Sequence, residues 1–321
     1  MSTVPIAQEL RSGRRIRDRL GDRLLLILTF GAAVVAVGLI GLIAWKIIHG
    51  AHLAFSSFGI SFLWDSPWDA VHNHFGALPG LYGTAITSLM ALVLATPLAL
   101  AIALFLSELA PSGLRVLVGS LVEMLAAIPS VVLGLWGILV LGPFLAAHVE
   151  PWLQRWFGFL PIFSGTPSAS GVFVAGVILA IMVVPIVASI CRELFVSVPN
   201  ELEEGALALG ATRWEMVRGV ILSSSRPGIA AAVILGLGRA LGEAIAVTQV
   251  IGSSWVINRS LFAPGDTLAS RIAAQFQGWG TKLQLASLFY LAAILLVIGL
   301  VTNLLAQLIV RRYAVQRTGK S

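Results

Sequence analysis

The chain has 321 residues, of which 58% are hydrophobic and only 11% charged. Soluble domains carry about 25% charged residues, so a water-soluble globule of this size is excluded and lipid is the expected solvent. The net charge of +6 does not point to nucleic acid, because six arginines crowd residues 11–23 and the rest are spread thinly. Such clusters flank membrane spans on the cytoplasmic side. The single cysteine, Cys191, excludes an intrachain disulfide and a multi-cysteine metal site.

Residues 1–23 are too charged for the apolar core of a signal peptide and read as a cytoplasmic tail. Residues 24–45 carry no charge, enough to cross a bilayer core of about 30 Å, and Trp45 and Lys46 mark the far end. Residues 50–78 lack Lys and Arg and hold Trp64 and Trp68, which suits an outer interface. His72-x-His74 has strand spacing, but no Cys, His or Glu cluster backs a metal site, so a solvated loop is expected. A second span is predicted over 81–106 with Pro97 inside it, tolerated where neighbouring helices cover the freed carbonyl. A third is predicted over 116–141, with Glu123 near its start, followed by Pro129 and Ser130. Residues 146–170, with Trp152 and Trp156, read as an outer loop. A fourth span is predicted over 171–191.

Polar chain follows. Asn200 is a candidate N-cap with Glu203 at the capping-box position, and Thr212 with Glu215 repeats the pattern. Gly210 between them suits a left-handed helix end. Two short helices meeting at Gly210 would form an elbow, with Arg213 and Arg218 making one side basic and Trp214 a bulky anchor. Fifth and sixth spans are predicted over 228–254 and 283–310. Basic residues at both ends and in loops 107–115 and 192–226 place both termini in the cytoplasm. The outer loop 255–282 dissents mildly through Arg259, Arg271 and Lys282. The predicted domains are a tail at 1–23, a transmembrane domain at 24–311 with an elbow loop at 196–224, and a tail at 312–321.

The fifth span carries Arg239 and Glu243. Arg239 lies 13 residues past Arg226, about 20 Å along a helix and well inside the bilayer. A charge there costs at least about 2.5 kcal/mol on insertion scales, so such residues face a partner or a pathway. Four apart, the two share a helix face. Two readings stay open: the pair neutralises itself, or Arg239 offers fixed positive charge to an anion while Glu243 orients it. Gly238 and Gly242 would permit close helix approach. Gly319-Lys320-Ser321 lacks the rest of a P-loop, and GLGRALG follows no strand, so no nucleotide site is read here. No catalytic triad or HExxH is present; no enzyme activity and no cofactor are expected.

Glu204, Gly205, Ala206 and Gly210, followed by Val220 and Leu222, resemble the EAA loop of ABC importer permeases, with Gly205 for the first Ala and Ser223 for the Pro. That resemblance implies a coupling helix docked on an ATPase subunit, with Trp214 beside it. The segments FGALPGLYGTAITS, EMLAAIPSVVLGLWG, ALGATRWEMVRGVIL and GLGRALGEAIAVTQVIG, spread over residues 75–252, are similar to the permeases of phosphate-specific ABC importers, PstC type. The resemblance implies an all-α, six-span inner-membrane protein with the type I ABC importer permease fold. It implies a phosphate pathway through Arg239 and Glu243, with Glu123 and Ser130 as further candidates. Implied partners are a homologous PstA-type permease, two ATPase subunits and an extracytoplasmic phosphate-binding protein. The alternatives are a sulfate or molybdate ABC permease and a secondary ion-coupled anion transporter.

Overall fold

The computed structural model describes residues 6–318, and of residues 6–20 and 309–318 it describes the helix alone. The outer ends of both predicted tails, Gly319-Lys320-Ser321 included, lie outside the described residues. The chain divides into two compact units, Met1–His49 and Gly50–Ser321. Helix α1 (Ile6–Phe58) begins in the first and ends in the second. Within the first unit its apolar side chains from Leu24 to Ile43 are exposed, as lipid-facing residues are, and the Trp45 and His49 rings stack at 5.9 Å.

The second unit follows α1 with a two-stranded hairpin, β1 (Trp68–Asp69) and β2 (His74–Phe75), with Trp68 opposite Phe75. Then come α2 (Leu78–Leu104), α3 (Ser112–Ala127), α4 (Ser130–Trp136), α5 (Gly142–Phe144), α6 (Glu150–Phe157) and α7 (Val172–Val196). The polar elbow is α8 (Asn200–Ala208) and α9 (Arg213–Met216), and the chain closes with α10 (Leu222–Gly242), α11 (Ile245–Val250), α12 (Leu268–Gln275) and α13 (Lys282–Thr318). Among the described residues six helical stretches are long and apolar enough to cross a membrane: Gly21–Leu63, Leu78–Leu109, Ser130–Phe157, Val172–Val196, Arg213–Gly242 and Lys282–Leu308.

The core is organised around α7, whose apolar side chains are buried for most of its length, from Val174 and Ile178 to Cys191 and Phe195. Helix α2 lies along it. Its small buried residues Gly83, Thr87, Ala91, Ala95, Ala99 and Ala103 recur every fourth position, one unbroken stripe on a helix face. Small side chains let two helices approach closely where lipid supplies no hydrophobic drive between them. Pro97 and Pro185 sit inside these helices without ending them.

Two predicted spans are corrected. The third does not run over 116–141. Residues 112–127 form the separate helix α3, which stops at Ile128 in an extended conformation (φ −67°, ψ 126°). Pro129 is the cause: its ring disfavours the helical region for the residue before it. The crossing helix starts at Ser130 and continues through π-helical turns at Gly137–Leu141 and Leu145–Val149 to Phe157. The tryptophans Trp152 and Trp156 are therefore on a helix and not in an irregular outer loop. The fifth span starts earlier and stops earlier than 228–254. It is continuous from Arg213, through a π-helical turn at Val217–Ile221, to Gly242. Glu243 is extended (φ −72°, ψ 116°), so the helix breaks at the charged pair.

Candidate translocation and coupling sites

The elbow is built by its caps. Pro199, extended at φ −62° and ψ 131°, holds the N-cap position of α8, and Asn200 is the first helical residue. The predicted Asn200–Glu203 capping box is therefore absent; a Pro there pre-sets the chain direction and leaves Asn200 inside the helix. The second box is present. The Glu215 amide donates to Thr212 Oγ1 at 3.3 Å, and Glu215 Oε2 accepts from the Thr212 amide at 2.8 Å. Between the two helices Gly210 has φ +86°, the left-handed region where glycine alone is unstrained. The Ala211 amide closes on Ala206 O at 3.1 Å, satisfying a helix-end carbonyl.

This elbow exposes apolar bulk. Leu209 is 92% exposed and Trp214 66%, and Leu202 and Leu207 are exposed beside them. Glu204, Gly205 and Gly210 are exposed and Ala206 is half-buried. Burial, and after it the charges of Glu108 and Glu204, pushes the Glu203 carboxyl above the usual carboxylate range. Glu203 thus sits close to the end of the second crossing helix, where the Arg115 Nη2 donates to Ser107 O at 2.9 Å.

The intramembrane pair forms despite the helix break. Arg239 Nη2 and Glu243 Oε2 are 3.3 Å apart. Their exposures differ: 47% for the Arg239 side chain and 5% for that of Glu243. The other carboxylate oxygen, Oε1, accepts from the Ala246 amide at 3.1 Å. The carboxylate is therefore held by the backbone of α11, while much of the guanidinium stays open. Irregular backbone at membrane depth is tolerated where it is covered by protein or lines a cavity. The break at Glu243 is covered by protein, and four residues before it Arg239 lines a groove of about 820 Å³ between α10 and α13, with Ile186 of α7 contributing. Gly238 lines the same groove, and a Cβ at Gly238 or Gly242 would meet no described atom within 4 Å. Neither glycine is used for close approach within the described chain.

The other candidates fall apart from this pair to different degrees. Ser130 opens α4 and is half-buried. Four residues on, a Cβ at Gly134 would come within 2.8 Å of Ala246 Cα, so α4 packs directly on the segment that holds Glu243. Glu123 lies exposed on α3, outside the crossing helices, with no ion pair among the described residues. The break at Pro129 separates it from the third span. His72 sits in the turn before β2, where its Nδ1 is 2.5 Å from Asp69 Oδ2. That contact raises the His72 pKa and lowers that of Asp69. No group of three metal-ligand side chains occurs among the described residues.

One constellation escaped the sequence reading. In the segment joining α11 to α13, Arg271 and Asp266 form an ion pair of 2.8 Å with 9% and 2% of their side chains exposed. The guanidinium carbon stands 4.4 Å from the Trp255 ring centroid and 5.7 Å from that of Trp68. Asp266 also accepts from the Thr267 amide at 3.0 Å and from the Ser270 hydroxyl. Gly83 makes room for this loop, since a Cβ there would lie 1.9 Å from Asp266 O. Burial pushes the Asp266 carboxyl up and the Arg271 guanidinium down, and their mutual attraction opposes both shifts. The signal available was an Asp and an Arg five apart in a loop flanked by tryptophan. A second missed acid is Glu150, fully buried, whose Oε2 accepts from the Ser168 amide at 2.8 Å.

Six membrane-crossing helices, one entered through a polar helical elbow and broken at a half-open charged pair, define a multi-pass membrane permease. The chain belongs to the family of binding-protein-dependent transport system inner membrane components, whose profile matches residues 95–315. It is 42% identical over 284 residues to the phosphate transport system permease protein PstC of Pasteurella multocida (strain Pm70), covering 87% of this chain and 88% of that one. It is 38% identical over 314 residues to PstC of Xylella fastidiosa (strain Temecula1 / ATCC 700964), covering 96% of each. Its fold is that of type I ABC importer permeases. A solved relative is a chain of a bacterial alginate ABC transporter in complex with alginate pentasaccharide-bound periplasmic protein. There the TM-score is 0.57 at 17% identity, covering 96% of this chain and 98% of that one.

Proposed function

We propose that this chain is the permease subunit of an ATP-driven phosphate importer of the inner membrane, forming half of the translocation pathway. The observation that carries this reading is the half-open guanidinium of Arg239, fixed beside a backbone-anchored Glu243 at the edge of a groove within the membrane. Arg239 turns Nη2 to Glu243 and keeps its remaining N–H donors for an oxyanion. The carboxylate moderates the attraction, so that the anion binds weakly enough to leave. The PstC relatives support phosphate as that anion.

The partners follow from the same reading: a PstA-type permease, two ATPase subunits and an extracytoplasmic phosphate-binding protein. Both termini and the elbow face the cytoplasm, and the transmembrane domain spans residues 24–311. The exposed Leu209 and Trp214 seat in the ATPase, and Glu204, Gly205, Ala206 and Gly210 shape the elbow that carries them. ATP-driven closure moves the elbow, and the helix running from Arg213 to Gly242 passes the motion to Arg239. In this reading Ser130 is an accessory group through the packing of α4 on α11, and Glu123, exposed on α3, is a further candidate.

The test is uptake by the full transporter in proteoliposomes with and without this chain. ATP-dependent phosphate uptake should require it and should exceed sulfate uptake. Sulfate or molybdate preference, or uptake independent of any ATPase, overturns the assignment. The elbow carries its own expectation. Trp214→Ala removes a large exposed anchor and should weaken ATPase retention by about 10-fold or more, as interface tryptophans commonly do. Copurification of the ATPase at wild-type levels would remove Trp214 from the docking surface.

A further inference from the structure

The groove beside Arg239 has a second wall. Helix α10 lines it with residues at the helical spacing Ala231, Leu235, Gly238 and Arg239. Helix α13 lines it with Gly299, Thr302, Asn303, Ala306 and Gln307, again one face of a helix. Three of those five are polar, in a span whose exposed large apolar residues are Val297, Leu300, Val301, Leu304, Leu305 and Leu308. Polar side chains in a crossing helix turn toward a partner or a watery cavity. The Thr302 hydroxyl is already used, donating to Ile298 O at 2.7 Å. Asn303 and Gln307 make no side-chain hydrogen bond among the described residues, and both are exposed to the groove. An amide left without a partner in hydrocarbon is expensive.

We infer that Asn303 and Gln307 are substrate-contacting residues: a neutral subsite for a tetrahedral oxyanion on α13, facing the charged subsite at Arg239. The inference rests on the transport reading above and extends it to residues outside the EAA loop and the GRALGE segment. Each carboxamide offers two N–H donors and no charge. Four apart on one helix face, they form a short track about 6 Å long. An anion released from Arg239 is handed to donors that hold it more weakly, since a carboxamide hydrogen-bonds the anion without the Coulomb attraction of a fixed positive charge. A path with one fixed charge and a neutral exit does not trap its cargo.

The experiment uses the assembled transporter. Asn303→Leu and Gln307→Leu should each lower maximal phosphate uptake about three- to tenfold, with partner copurification unchanged. Asn303→Asp, which sets a negative charge against the anion, should lower it further. In parallel, Asn303→Cys and Gln307→Cys are placed in a Cys191→Ala background and treated with an anionic methanethiosulfonate. Such a reagent needs water and a thiolate. Both cysteines should react, and inorganic phosphate should slow the reaction severalfold. Unreactive cysteines with full uptake in the leucine variants overturn the proposal. So do unreactive cysteines with lost copurification, which would make this face a contact with the second permease. If the wild-type transporter carries sulfate instead of phosphate, the substrate reading fails. Protection of the same cysteines by sulfate then still decides whether α13 lines the path.

Discussion

Arg239→Gln should cut phosphate uptake by about 10- to 100-fold while the protein reaches the membrane at normal levels. The magnitude follows from losing hydrogen bonds to a charged group, worth about 1.5–3 kcal/mol, where 1.4 kcal/mol is a factor of ten. The variant keeps the shape of the groove wall and leaves the Glu243 carboxylate tied to the Ala246 amide. It removes the fixed positive charge and with it the ion-pair partner of Glu243, so membrane levels are read alongside uptake. Arg239→Lys restores the charge without the planar fork and should recover part of the loss. Uptake by the reconstituted transporter, normalised to immunoblot levels, checks both. Wild-type uptake in Arg239→Gln would reduce the pair to mutual neutralisation. A phenotype confined to lower membrane levels would do the same.

The second large effect is on stability. Arg271→Met should destabilise the protein by about 3–5 kcal/mol, because it leaves Asp266 buried and unpaired. It also removes the cation that stands beside the Trp255 and Trp68 rings. The double variant Arg271→Met with Asp266→Asn removes the charge on both sides. The asparagine can still accept from the Thr267 amide, so the double variant should recover much of the stability. Thermal unfolding in detergent, followed across the wild type, both single variants and the double variant, measures the coupling. A double variant no more stable than Arg271→Met alone would show that the pair is not what holds the loop.

Much of this architecture is legible from local signals. Charge-free stretches of membrane length mark the second, fourth and sixth crossings within a few residues, because lipid penalises every exposed polar group. Gly210 and the Thr212–Glu215 box are likewise visible, since both are solved within a few residues of chain. The third crossing is misplaced for the same kind of reason. From Val116 to Leu141 the only charge is Glu123, near the start, and the effect of Pro129 on Ile128 divides the stretch. The Arg239–Glu243 pair is legible as two charges in an apolar run. Its geometry is not: neither the break at Glu243 nor the packing of α11 against α4 has a local signal in the sequence. The Asp266–Arg271 pair and the polar face of α13 depend on elements far apart in sequence, such as Trp68 and Arg239. No local pattern encodes those meetings.

The fusion of α9 to α10 has a mechanical consequence. From Arg213 to Gly242 the backbone is a single rod of 30 residues, about 45 Å long at 1.5 Å per residue. A stiff rod pivoting at one end magnifies rotation, and a tilt of about 5° displaces its tip by about 4 Å over that length. Its compliance is concentrated at two places, the π-helical turn at Val217–Ile221 and Pro227. Both lie in the half next to the elbow, so the half that bears Arg239 moves as one body. In the proposed transport cycle the throw would be taken up at the extended Glu243, where the backbone leaves the helix. A tip displacement of about 4 Å would exceed the 3.3 Å that separates the pair.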